Sequence, residues 1–209
     1  MDEGYVKYNA YHKVIPASDI ETLVPNWQEL NNIRTKLYKL GLIGTDNNGI
    51  GFGNLSMRLN ADEFIISGTG TGTKQELTLH DYCLVKTFDL SRNSIESMGP
   101  VQASSESMTH GAVYISNKTV NCVIHIHSRS IFDRMLHNKY PRTPKTATYG
   151  TPELALTIAE CVKAISKSNP LQVSGAIILP GHEPGIIVFN ACPEKAYLLV
   201  EELYSRFSC

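Results

Sequence analysis

The chain has 209 residues, 42% of them hydrophobic and 19% charged, which is enough apolar material for one good core and excludes a disordered or fibrous composition. A formal net charge of −1, an isoelectric point near 6.6 and the lack of any Lys/Arg block exclude general electrostatic binding to nucleic acid or acidic lipid, while leaving room for a pocket that takes one small anion. Five scattered cysteines (Cys83, Cys122, Cys161, Cys192, Cys209), odd in number and without a C-x-x-C pair, point to reduced thiols rather than to a disulfide framework or a cysteine zinc site.

The opening MDEGYVKYNAYHKV is acidic and polar where a signal peptide is basic and then apolar, and no run approaches the roughly 18 apolar residues of a membrane span. A soluble, cytoplasmic protein is expected, with residues 1–24 as an N-terminal extension of one domain spanning 1–209. After Pro25-Asn26, the segment WQELNNIRTKLYKLGLI repeats Trp27, Leu30, Ile33 or Arg34, Leu37 and Leu40 or Gly41 at helical spacing, and Gly41 or Gly44 ends the helix. Six segments of β character follow: 54–59, 63–67, 82–88, 121–127, 174–180 and 185–189. Helical runs near 105–116, 151–167 and 193–206 are interleaved, the last opening with Pro193-Glu194 as first turns often do. The prolines at 141, 144 and 152 mark a connection into the helix at TPELA, and no repeat or linker divides the chain. The class is mixed α and β in one layered domain, with strand direction left open by periodicity alone.

In NCVIHIHSRS, side chains alternate between the faces of a strand, so His125 and His127 share one face with Val123 while Ile124 and Ile126 take the other. Two neutral imidazoles on one patch suit a small cation, and a catalytic zinc site commonly takes three protein ligands. His182, in the tight turn of LPGHEPGIIVF between two apolar runs, is the third candidate; the competing possibility is a solvent-facing histidine pair. In ASSESMTHGAVY, Ser104 or Ser105 can cap a helix with Glu106 in its first turn. Glu106 is then either a capping carboxylate or a general acid/base, and His110, one turn on, either orients it or fills the interface below. In EFIISGTGTGTKQELT a strand ends in hydroxyls and backbone N–H groups suited to a phosphate or carboxylate, although it is no P-loop; a plain Gly/Thr hairpin competes. GFGNLS offers Asn54 to the same anion and is no nicotinamide fingerprint.

The order of these segments says more than each one alone. GNLS, SGTGTG followed by ELT, SSE, HIH, YGTPELA and a GH pair before a strand together resemble the class II (zinc-dependent) aldolase/adducin family, from about Trp27 to Tyr204. Its best-known enzymes are L-fuculose-1-phosphate and L-rhamnulose-1-phosphate aldolases and L-ribulose-5-phosphate 4-epimerase. The resemblance implies a three-layer α/β/α domain with a central, mainly antiparallel sheet, in a homotetramer with active sites at subunit contacts. It implies Zn2+ on His125, His127 and His182, Glu106 as acid/base, and Asn54, Ser67, Gly68, Thr69, Ser104 and Ser105 at the phosphate, with a slip within 67–72 left open. The activity implied is an aldolase that cleaves or forms a carbon–carbon bond in a small sugar phosphate through a zinc-stabilised enediolate. A metal-dependent epimerase or dehydratase and a non-catalytic adducin-like module are the alternatives. Three departures stand out: His182 is followed by Glu183-Pro184-Gly185 rather than by glycine, Arg129 and Arg134 follow the HIH pair, and no segment matches the family's tyrosine proton donor, for which Tyr140 or Tyr149 could substitute.

Overall fold

A computed structural model of the chain describes residues 6–168 and 173–208. Residues 1–5, which begin the N-terminal segment, and Cys209 lie outside the described residues. In chain order the elements are β1 (Asn9–Val14), α1 (Ala17–Leu23), α2 (Trp27–Lys39), β2 (Gly44–Thr45), β3 (Gly51–Phe52), β4 (Asn54–Arg58), β5 (Phe64–Ser67), β6 (Tyr82–Asp89), β7 (Ser94–Gly99), α3 (Ser107–Ser116), β8 (Cys122–His127), α4 (Arg129–His137), α5 (Pro152–Ser168), β9 (Gly175–Ile178), β10 (Gly185–Asn190) and α6 (Pro193–Phe207).

Eight strands form one sheet in the order β1-β7-β6-β5-β4-β8-β10-β9, and every neighbouring pair is antiparallel except β1 with β7. The expected mainly antiparallel sheet is therefore observed. The apolar alternation of the strands feeds two cores. Ile124, Ile126, Ile186 and Val188 pack with α1, α2, α4 and α6 on one face. Val123, Ile187 and Phe189 pack with α3 and α5 on the other. The result is the three-layer α/β/α arrangement.

Helix α2 shows how local chemistry sets an end. Its buried Leu30, Ile33 and Leu37 form the inward stripe, and Gly41 adopts φ +70 just past the C-cap. Gly41 N–H donates to Tyr38 O at 2.9 Å and Leu42 N–H to Leu37 O at 3.0 Å, the paired bonds of a Schellman stop. Of the two glycines that could end the helix, Gly41 does so.

Six elements have no counterpart among the predicted ones: β1, α1, the two-residue strands β2 and β3, β7 and α4. Strand β1 is polar and largely exposed along the sheet edge, and β7 carries Glu96 and two serines, so neither has the apolar alternation that marks a half-buried strand. The opposite edge, β9, is met by the 141–143 segment, where Ile178 N–H donates to Pro141 O at 3.0 Å and Thr143 N–H to Ile178 O at 3.1 Å. Among the described residues no helix is long and apolar enough to cross a membrane. The described cysteines Cys83, Cys122, Cys161 and Cys192 are free.

Candidate functional site

β8 is hydrogen-bonded on both sides, so its histidines are held by register. His125 lies opposite Asn54 of β4 and Ile187 of β10, while His127 lies opposite Gly185. Directly opposed residues share a face of the sheet, which puts the Asn54 amide beside the imidazoles. A Cβ on Gly185 would come within 2.6 Å of His182 O and 2.9 Å of His125 Nε2, so the residue that pairs with His127 must lack a side chain.

His182 is brought in by the turn between β9 and β10. Its N–H donates to Leu179 O at 2.8 Å, its carbonyl accepts from Gly185 N–H at 2.7 Å, and Leu179 N–H closes the turn on Gly185 O at 3.0 Å. Glu183 faces the other way: it is exposed and its Oε2 accepts from Arg129 Nη1 at 2.8 Å. The GHEPG turn thus adds no carboxylate from Glu183 to the histidine cluster. Arg129 is committed to Glu183 and Asp133, and Arg134 is exposed.

The three imidazoles meet with ring centroids 4.8 to 5.1 Å apart. One ligating atom from each lies within 4.8 Å of the others, and all three residues are buried. His127 Nε2 and His182 Nε2 are 3.2 Å apart. Two nitrogens on a tetrahedral zinc at ~2.0–2.1 Å stand about 3.3 Å apart, so the donor set suits such an ion and the His127–His182 pair already has its spacing. Burial, followed by the neighbouring imidazoles, holds His125 and His127 well below the usual imidazole range, keeping both neutral with lone pairs to offer. Among the described residues neither ring nitrogen of His125 has a hydrogen-bond partner, which a metal bond at one of them would satisfy. His127 stacks on Phe52 at 5.1 Å and 11°.

Glu106 is 2% exposed, and its oxygens lie 3.8 Å from His182 Nε2 and 3.9 Å from His125 Nδ1. It occupies the N-cap position of α3, with helix starting at Ser107 rather than earlier, and its side chain makes no capping bond. Neighbours close the turn that leads into the helix: Ser104 Oγ accepts from Glu106 N–H at 3.2 Å, and Ser104 O accepts from Ser107 Oγ at 2.6 Å. The carboxylate is left pointing to the histidines. His110 does not orient it through its ring, because His110 Nδ1 sits 2.7 Å from Ser56 Oγ, which also meets the Tyr114 hydroxyl at 2.7 Å.

A cavity of about 290 Å³ opens in front of these groups, lined by Asn54, Gly68, Thr69, Ser104, Ser105 and Glu106 with the three histidines. Ser67 is brought near but not into it; its Oγ accepts from Leu55 N–H at 3.3 Å, tying β5 to β4 behind the wall. The backbone donors of Gly68 and Thr69 are also committed, to Asp81 O at 2.8 Å and Gln102 O at 3.0 Å. The loop continues around the cavity as Gly70 to Thr73.

The profile of the Class II Aldolase and Adducin N-terminal domain family matches residues 36–208. The chain belongs to that family. Solved structures of this fold agree: the L-fuculose-1-phosphate aldolase of Thermus thermophilus superposes with a TM-score of 0.58 at 23% identity over 85% of this chain and 89% of its own. YgbL of Klebsiella pneumoniae, assigned only as far as aldolase, epimerase or decarboxylase, gives 0.62 at 20% identity over 91% and 87%. A sugar-phosphate aldolase of Thermotoga maritima gives 0.59 at 17% identity over 90% and 92%. At such identities the likeness shows the fold. No curated protein matches the chain.

Within this class II aldolase/adducin domain, the structure separates the two tyrosines the sequence left open. Tyr140 packs edge-on against Phe207 at 6.2 Å, in the α6 layer. Tyr149 lines the cavity, its ring 4.7 Å from that of His182 and its hydroxyl donating to Ser105 Oγ. The N-terminal segment reaches the same place, with Tyr8 Oη donating to the carbonyls of Ala103 and Ser104 at 3.0 and 3.2 Å. Phe52 and Tyr8 carried no sequence signal, since each depends on a contact distant along the chain.

Proposed function

We propose that the chain is a zinc-dependent class II aldolase that cleaves or forms a carbon–carbon bond in a small sugar phosphate. What carries this reading is the burial of His125, His127 and His182 as one cluster with the Glu106 carboxylate within 4 Å of two of them. Bound by these three imidazoles, Zn2+ would supply Lewis-acid polarisation of the substrate carbonyl. Glu106 takes the proton from, or returns it to, the carbon beside that carbonyl. Its charge is favoured by the first N–H groups of α3, at whose N-terminal end it stands.

The Asn54 amide and the hydroxyls of Thr69, Ser104 and Ser105 hold the phosphate, Gly68 leaves room for it in the cavity wall, and Ser67 fixes the strand that leads into that wall. Phe52 and Tyr149 flank the histidines and limit water at the reacting carbon. A non-catalytic adducin-like module is disfavoured because such a scaffold has no use for three converging imidazoles and a buried carboxylate. The enzyme is a cytoplasmic homotetramer in this reading.

Elemental analysis of untagged protein beside His127→Ala, followed by aldol cleavage assays on a panel of ketose 1-phosphates, tests it. About one zinc per chain, lost in the variant, with cleavage of at least one panel member is the expected result. Absence of zinc even after supplementation would overturn it.

A further inference from the structure

Arg34 stands in the inward stripe of α2, 1% exposed, beside Ile33 and Leu37. A leucine there would extend the stripe, so a buried guanidinium needs a cause. Its Nη1 donates to Gln75 O at 2.7 Å and its Nη2 to Thr71 O at 2.9 Å, with the Tyr38 ring 4.8 Å away. Among the described residues no carboxylate forms an ion pair with it. Asp81, the acid at the foot of the same loop, is paired with Lys74 and also accepts from Thr78 N–H and Oγ1. Two carbonyl dipoles are therefore the direct hydrogen-bond partners of a desolvated positive charge, with the Asp81 carboxylate acting on it from beyond ion-pair range, and such a charge is costly to bury without a paired opposite one.

Three residues earlier, on the same helix face, Asn31 Nδ2 donates to Leu77 O at 3.1 Å. Asn31 and Arg34 together grip the carbonyls of Thr71, Gln75 and Leu77. Thr71 belongs to the cavity wall, its hydroxyl donating back to Gly68 O at 2.8 Å. The buried cation thus sits one residue behind the wall that faces the anion. Among the described residues the cavity lining itself contains no Lys or Arg. Arg34 also precedes the stretch matched by the family, 36–208.

We propose that Arg34 is a positioning and charge-supplying residue for the anion subsite, holding the 68–77 loop by its carbonyls and selecting a doubly charged phosphate over a carboxylate or other monoanion. The inference rests on the phosphate part of the proposed function and deepens it by naming what discriminates the anion.

Titration calorimetry with inorganic phosphate, at a pH where the monoanion dominates and at one where the dianion does, tests it on wild type, Arg34→Met and Arg34→Lys. Wild type should prefer the dianion. Arg34→Met should bind the dianion about tenfold more weakly and the monoanion nearly as before, while Arg34→Lys should keep most of the preference. Equal loss of both forms in Arg34→Met would reduce the residue to a loop support and overturn its charge role. Unchanged dianion binding in Arg34→Met would overturn the inference alone, and no phosphate binding in wild type would overturn the phosphate reading with it. If Arg34→Met does not fold, Arg34→Gln, which keeps an amide donor for a loop carbonyl, carries the same comparison.

Discussion

On one side of the cavity His125 and His127 project from a strand paired along its length with β4 and β10, so their positions follow from sheet register. On the other side residues 68–73 form a loop whose backbone is tied to Asp81, to Gln102 and, through Thr71, to Arg34. The strand wall is local in origin and shaped by alternation along six residues. The loop wall is assembled from contacts tens of residues apart. The difference predicts that the strand wall tolerates loss of its chemistry without loss of shape, whereas the loop wall changes shape when a remote partner is lost.

Glu106→Gln gives the largest effect and sharpens that comparison. The substitution keeps the side-chain volume and leaves the histidines in register, so zinc should be retained at the wild-type stoichiometry. Turnover should fall by about 10²–10⁴-fold, the usual worth of a positioned acid/base. Elemental analysis paired with single-turnover kinetics reads both quantities, and near-normal turnover would remove Glu106 from the chemistry.

Gly185→Ala breaks the strand wall at its narrowest point. The added methyl meets the carbonyl of His182 at 2.6 Å and His125 Nε2 at 2.9 Å, neither of which is the free end of a flexible chain. Overpacking of this kind costs roughly 1–3 kcal/mol, and relief by shifting either imidazole should weaken metal binding as well. Denaturant unfolding and a competitive zinc chelator assay would show both; an unaffected variant would mean the turn has slack that the register does not suggest.

The two walls also differ in how far the sequence announces them. H-x-H within an apolar run is a period-2 signal, and it places both imidazoles on one face without knowledge of the rest of the fold. Glu106 is legible as a helix-start carboxylate, although only the structure shows that its side chain makes no capping bond and lies within 4 Å of two histidines. The loop wall is legible in composition but not in detail. Ser67 looks like the other hydroxyls of the run until its Oγ is seen bonded to Leu55 N–H, and the amides of Gly68 and Thr69 look exposed until their partners across the loop are known. Tyr149, Phe52 and Arg34 depend on contacts between distant segments, and no local pattern encodes those. The same holds for β1, which is polar and exposed, and for β7, whose inward positions include Ser97 and Gly99, so that neither shows the apolar run by which β8 is found.

Acid should expose a further asymmetry. His110, beneath the strand wall, is fully buried against Ser56, and desolvation pushes its pKa from 6.5 down to about 3. The unfolded chain therefore binds this proton first. The contribution to stability is complete above the ordinary imidazole value, and it is lost as pH falls from about 6.5 towards about 3, at up to roughly 1.4 kcal/mol per pH unit. Urea unfolding of His110→Leu across that window should give a shallower dependence than wild type. Equal slopes would mean that His110 gains a proton in the folded state more easily than its burial implies.

The smallest effect expected is at Tyr149, where the two walls meet. Its ring lies against His182, and its hydroxyl bonds Ser105, which lines the cavity. Tyr149→Phe keeps the ring packing and removes the hydroxyl's bond to Ser105 across the cavity. Loss of a single neutral hydrogen bond is worth about 0.5–1.5 kcal/mol, so stability should fall by that amount at most and zinc content should not change. If the bond serves only to fix Ser105, the variant should raise KM for a sugar phosphate several-fold and leave kcat alone, because ground state and transition state lose the same contact. A fall in kcat with KM unchanged would instead place the hydroxyl on the reacting atoms, and the boundary between the walls would then be part of the chemistry.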